Sequence, residues 1–136
     1  MTIRDLKRVY YIDKEIKSLS KTLEEINSSS YVKAKSYPDT VTVSNYNRYS
    51  KVESRAVAIE KIKTTIEDKI VELQETYDTI LQWIYSIDDS LVRLILKLRY
   101  LDLYTWNQVA NAVGGGNSEY SVKKMASRYL QQHIEN

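Results

Sequence analysis

At 136 residues, with 43% hydrophobic and 28% charged side chains, the chain fits one soluble domain, or a helical hairpin carrying a small module, and excludes two large domains. The absence of cysteine and the single histidine, His133, exclude disulfides, thiolate metal sites and thiol catalysis, and leave no histidine cluster for a metal or a spare for a Ser/His/Asp triad. The net charge of +2 announces no nucleic-acid partner by itself, but it divides as +4 over residues 1–51, −4 over 52–88 and +2 over 89–136.

In chain order, the N-terminus Met1-Thr2-Ile3-Arg4-Asp5-Leu6-Lys7-Arg8 is charged throughout and lacks the apolar stretch of a secretory signal. No apolar run approaches the roughly 20 residues that cross a bilayer, so no membrane is expected and the location is expected to be cytoplasmic. Three glycines and one proline leave few helix breakers. Val9, Ile12, Ile16, Leu19, Leu23 and Ile26 recur at steps of three and four, a narrow stripe resembling a coiled-coil seam, which Ser28-Ser29-Ser30 is expected to end.

Residues 28–51 then read as a Tyr-rich loop with Tyr31, Tyr37, Tyr46, Tyr49 and the single Pro38. With Lys33, Lys35, Arg48 and Lys51 the tyrosines could stack on nucleic acid. A linker, or a short edge strand over Thr40-Val41-Thr42-Val43, is the plainer expectation for this stretch. A second long helix follows on Val52, Ala56, Ile59, Ile66, Ile70, Leu73, Tyr77, Ile80, Ile84 and Ile87, interrupted where Lys63 stands beside Ile62. At 1.5 Å per residue it would be roughly 50 Å long. The basic first helix and acidic second helix are suited to pair antiparallel, although both seams could equally face other subunits. The carboxylates Glu67, Asp68, Glu72, Glu75 and Asp78 read as a solvated helix face rather than an acid/base pair.

The last third has a different grain. Asp88-Asp89-Ser90 offers a cap for a helix whose apolar positions Leu91, Leu94, Ile95 and Leu98 share a face. Thr105-Trp106-Asn107-Gln108 has the form of a capping box, so a helix starts at Trp106, turns Val109, Ala110 and Val113 inward and stops at Gly114-Gly115-Gly116. The small residues Ala110 and Ala112 would allow a close helix crossing. Asn117 or Ser118 caps the last helix, with Val122, Met125, Ala126 and Tyr129 inward and Tyr120, Lys123, Lys124 and Ser127 outward. Two short helices around a tight turn, the second basic near its start, form the pattern that sets a helix into a major groove.

The run Leu98-Arg99-Tyr100-Leu101, then Thr105-Trp106-Asn107-Gln108-Val109-Ala110, Gly114 to Ser118, Ser121-Val122-Lys123-Lys124-Met125 and Arg128-Tyr129-Leu130 resembles the last DNA-binding region of bacterial sigma factors. In particular it resembles phage and prophage proteins with a sigma-like C-terminal helix-turn-helix, the RinA/ArpU-like late transcriptional regulators. Many of these begin with a long heptad-patterned hairpin. The triple-Gly turn departs from the usual sigma-like turn by being longer.

The expected fold is therefore all-α, a coiled-coil hairpin over residues 1–87 followed by a helix-turn-helix over 88–136. The resemblance implies a DNA-binding transcriptional regulator with its recognition helix at about 118–131. Candidate DNA contacts are Ser118, Glu119, Tyr120, Lys123, Lys124, Ser127 and Arg128, where Lys and Arg suit phosphates and Glu, Ser and Tyr can reach base edges. Thr105, Asn107 and Gln108 are candidates for the DNA backbone, Trp106 is expected in the core, and His133 on the surface. The expected partners are double-stranded DNA, RNA polymerase and further copies of the chain through the heptad helices. No enzyme, cofactor or metal is expected, because no phosphate loop, nucleophile elbow or metal spacing occurs. Two other readings stay open: a small terminase-like packaging protein that assembles into a ring, and a protein-interaction module that does not bind DNA.

Overall fold

The computed structural model describes residues 1–35 and 44–134. Among these every regular element is helical: α1 (Ile3–Lys35), α2 (Ser44–Tyr85), α3 (Ser90–Leu96) running into a π-helical turn (Lys97–Leu101), α4 (Trp106–Val113) and α5 (Glu119–His133). The chain divides into two compact units, Met1–Asp13 with Glu72–Asn136, and Lys14–Val71, so that both long helices contribute to each. These units cut across the sequence division at residue 87.

Local chemistry sets where α1 starts and why it does not stop at the serines. The Thr2 hydroxyl accepts from the Asp5 N–H at 3.1 Å, while the Asp5 carboxylate accepts from the Thr2 N–H at 2.9 Å. This reciprocal box satisfies two N–H groups that a helix start leaves without partners. Met1 and Leu6, on either side of it, both pack into the core, as in a hydrophobic staple. The helix passes through Ser28-Ser29-Ser30 to Lys35, against expectation. Ser28 Oγ donates to the Glu24 carbonyl at 2.7 Å, the back-bond by which a hydroxyl is accommodated inside a helix instead of capping it. On the far side, α2 begins at Ser44, so much of the expected 28–51 loop is helix, including Tyr31, Tyr46 and Tyr49. Tyr37, Pro38 and the possible strand over Thr40 to Val43 lie outside the described residues.

The seam of α2 also differs from its hydrophobic pattern. Val52 and Ala56 are exposed, half-buried Ile62 bridges the interruption at exposed Lys63, and Ile70 is exposed while Lys69 is half-buried. The aliphatic stem of Lys69 serves as a seam residue, and its ammonium pairs with Glu15 of α1 at 3.4 Å. In the other unit Arg8 of α1 pairs with Glu72 of α2 at 3.2 Å, which removes Glu72 from the freely solvated carboxylates.

The unit containing the C-terminus has one continuous core. Leu6 and Val9 of α1, Ile80 and Ile84 of α2, Ile87 in the connection after it, Val92, Ile95 and Leu96 of α3, Val109 and Ala110 of α4, and Val122, Ala126 and Leu130 of α5 are all buried in it. Asp89 caps α3, its carboxylate accepting from the N–H groups of Leu91 and Val92 at 2.9 and 3.2 Å. The buried face of α3 is Val92, Ile95 and Leu96, whereas Leu94, expected inside, is exposed. Because α3 packs on both α4 and α5 while the ends of α1 and α2 share the core, its covered arc is rotated from the one an isolated amphipathic helix would choose. Ala110 is buried at the α4 packing face, but Ala112 is exposed and plays no part in a close crossing.

Candidate nucleic-acid interface

The junction before α4 is an uncommon piece of backbone. In the π-helical turn the Asp102 N–H reaches back five residues to the Lys97 carbonyl at 3.1 Å, and the Tyr104 N–H closes on Leu98 O at 3.0 Å. Between them Leu103 stands at φ 59, a left-handed conformation that a side chain with Cβ adopts at a cost. Two contacts hold it. Lys97 Nζ meets the Asp102 carboxylate at 3.1 Å, which raises the Lys97 pKa above its ordinary 10.5, and Arg99 Nη1 donates to Tyr104 O at 2.9 Å. The Arg99 guanidinium also lies 4.7 Å from the centre of the Trp106 ring. Trp106 is therefore half-buried, one part packed on the core and another under Arg99, rather than a wholly internal anchor. No sequence pattern singles out Arg99, because its contacts depend on the bend at Leu103.

Helix α4 opens with the expected box. The Gln108 N–H donates to Thr105 Oγ1 at 3.2 Å and the Thr105 N–H to Gln108 Oε1 at 2.9 Å, so both side chains are engaged in the cap although exposed. Asn107 is exposed beside them. The turn after α4 uses its glycines: Gly114, Gly115 and Gly116 all have positive φ, between 63 and 78. Gly114, at φ 65 and ψ −147, occupies a region open essentially only to glycine. Asn117 then folds back, its N–H and its Nδ2 both donating to Gly114 O at 3.1 and 2.9 Å. Asn117 thus closes the turn and Ser118 is the cap of α5, accepting from the Ser121 N–H at 3.1 Å while the Ser118 N–H donates to Ser121 Oγ at 2.9 Å.

On α5, Val122, Ala126 and Leu130 are buried, and Met125 and Tyr129 are half-buried. Glu119, Tyr120, Lys123, Lys124, Ser127 and Arg128 are exposed, as is the cap Ser118, so the candidate residues share one open surface. Tyr120 is 71% exposed, the most open large hydrophobic among the described residues, with Lys124 Nζ 5.5 Å from its ring centre. Glu119 is the only acidic residue of this helix, against Lys123, Lys124 and Arg128. Lys123 and Arg128 form no ion pair among the described residues. The surface can therefore present three cations, Lys123, Lys124 and Arg128, with an acceptor at its start, hydroxyls and an aromatic ring. His133, at the far end, is exposed but not idle: its ring stacks on Tyr129 at 4.0 Å and its Nδ1 lies 2.9 Å from Tyr129 O. Tyr129 meets Trp83 of α2 edge-on at 6.3 Å, and burial raises its pKa.

Among the described residues no cluster of three or more metal-ligating side chains occurs, and no helix is long and apolar enough to cross a membrane. Comparison of the chain with protein-family models, with curated proteins and with solved structures found no match.

Proposed function

We propose that the chain is a DNA-binding transcriptional regulator of phage or prophage type, in which α4, the glycine turn and α5 act as a sigma-like helix-turn-helix and α5 enters the major groove. The observation that carries this reading is the exposed face of α5. It bears Tyr120, Lys123, Lys124, Ser127 and Arg128 away from the side on which Val122, Ala126 and Leu130 are buried, on a helix whose start is fixed by a double cap. Lys123, Lys124 and Arg128 neutralise phosphates, Tyr120, Glu119 and Ser127 address base edges, and Asn107 with the capped start of α4 meets the DNA backbone. In this reading α1 and α2 form an antiparallel hairpin, the chain works in the cytoplasm, and it performs no catalysis. The pairs Arg8–Glu72 and Lys69–Glu15, each between α1 and α2, support the hairpin.

The test is an anisotropy titration of the full chain on duplex DNA over a series of salt concentrations. Lys123→Ala with Lys124→Ala is expected to weaken binding and to lower the salt slope by about two. Unchanged affinity and slope would overturn the proposal.

A second reading is favoured by the exposed apolar residues Val52, Val57, Ile70 and Val71 of α2, which suit contact with further copies or another protein. A ring-forming packaging protein would use them between subunits, whereas a polymerase-binding regulator would use them against its partner. Mass in solution separates the two: about eight subunits favours packaging, a monomer or dimer favours regulation.

A further inference from the structure

A groove on the unit containing α5 is lined by Ser127, Leu130 and Gln131 of α5, by Tyr100 of the π-helical turn, and by Ile3 and Arg4 of α1. The first turns of α1 therefore lie beside the C-terminal half of the candidate recognition helix. Arg4, Lys7 and Tyr11, spaced three and four apart, share one exposed face of α1, opposite the buried Leu6, Val9 and Ile12. Of the other charges nearby, Arg8 pairs with Glu72, and Asp5, which keeps its negative charge while hydrogen-bonded to Thr2, falls by helical period on the Val9–Ile12 side of α1 rather than on this face. Arg4 and Lys7 form no ion pair among the described residues, so this face is uncompensated positive charge with a tyrosine at its end.

We infer that the first two turns of α1 are a second phosphate-binding strip, and that the duplex held by α5 also lays one sugar-phosphate strand across Arg4 and Lys7. The inference rests on the DNA-binding reading of α5. Dimensions support it. Residues 118 to 131 of α5 extend about 20 Å at 1.5 Å per residue, whereas the major groove is about 12 Å wide. With the capped start of α5 and Ser127 in the major groove, Gln131 emerges at its phosphate wall, beside the α1 residues that line the same cleft between helices. Charge supports it as well, since α5 offers few phosphate contacts of its own and two more cations would steepen the salt dependence. The tertiary fold thus recruits to the interface a segment more than a hundred residues away in sequence.

The experiment is an anisotropy titration of the full chain on a duplex of about 20 base pairs at several salt concentrations, where sequence-independent binding reports phosphate contacts. Arg4→Gln with Lys7→Gln is expected to bind roughly tenfold more weakly and to lose about two from the salt slope, while Arg4→Lys with Lys7→Arg keeps both near the parent values. Lys61→Gln, an exposed position on α2, serves as the control for charge alone and is expected to leave the slope unchanged. Thermal unfolding of each variant separates a folding defect from a lost contact. If Lys123→Ala with Lys124→Ala weakens binding but Arg4→Gln with Lys7→Gln does not, the strip is refuted and the role of α5 stands. If the parent chain binds no duplex, both fall together.

Discussion

The two compact units use the same kind of helical stripe, yet only one of them buries most of it. In Met1–Asp13 with Glu72–Asn136, Leu6, Ile80, Ile84, Ile95, Leu96, Val109 and Val122 are all below 2% exposed. In Lys14–Val71 the stripe residues Ile16, Leu19, Leu23, Ile26, Ile59, Ile62 and Ile66 are each only half-buried. Heptad spacing aligns a seam, but closing it takes neighbours on further sides, and α3, α4 and α5 provide these in the first unit alone. Since apolar stabilisation scales with area removed from water, at about 25 cal/mol per Å², the first unit holds the greater share of the stability. The second unit is the part expected to open locally at lower cost.

The sharpest way to break this comparison is to cut one side chain from each unit. Ile84→Ala is expected to destabilise the protein by roughly 2–5 kcal/mol in denaturant unfolding, because a closed core cannot collapse around the lost atoms. Leu23→Ala should cost clearly less, about 1–2 kcal/mol, as solvent already covers part of the site. Equal losses would mean that the half-buried seam is as tightly packed as the core.

Within the better-packed unit, the turn before α5 tests backbone rather than packing. Gly114→Ala places a Cβ in open space, with nothing within 4 Å, so any penalty comes from φ 65 with ψ −147 alone. A loss of about 1–3 kcal/mol is expected on thermal unfolding. No change would show that the turn relaxes freely and does not fix α5. A smaller loss, about 1 kcal/mol, is expected for Ser118→Ala, which removes the hydroxyl that accepts from the Ser121 N–H. Its helical signal should fall at α5 and leave α1 unchanged.

The smallest effects are those of pH. The hydrogen bonds from Thr2 lower the Asp5 pKa from its ordinary 3.8, so their stabilisation is present above 3.8 and is lost as pH falls through the lower folded value. The hydrogen bond to Asp102 raises the Lys97 pKa from 10.5, so that contribution is present below 10.5 and is lost as pH rises through the higher folded value. Melting temperatures of Asp5→Asn should lose part of the acid-side slope, and those of Lys97→Met part of the alkaline-side slope. Solvent screens both contacts, and an unchanged alkaline-side slope would assign the junction before α4 to packing alone.

Much of the architecture was legible in local chemistry. The cap at Asp89, the box of Thr105 with Gln108, the break at Gly114 and the cap at Ser118 depend on groups within three or four residues, and they form as their spacing implies. The exposed set on α5 was legible for the same reason, since Val122 and Ala126 define its inner face by helical period alone. Where spacing misled, a partner element or a local alternative decided. Spacing puts Leu94 inside yet it is exposed, Ile70 gives way to Lys69, and the serines after Asn27 do not end α1 because Ser28 bonds back into the helix.

By itself, then, the sequence determined where most helices begin and stop and which side of α5 is polar, because caps, glycine torsions and helical period are short-range. Only the tertiary structure decided which stripes close into a core, how Arg99 and Trp106 hold the bend at Leu103, and that Arg4 lies across a groove from Ser127. Those contacts join residues whose proximity depends on how whole helices pack, and no local pattern encodes that.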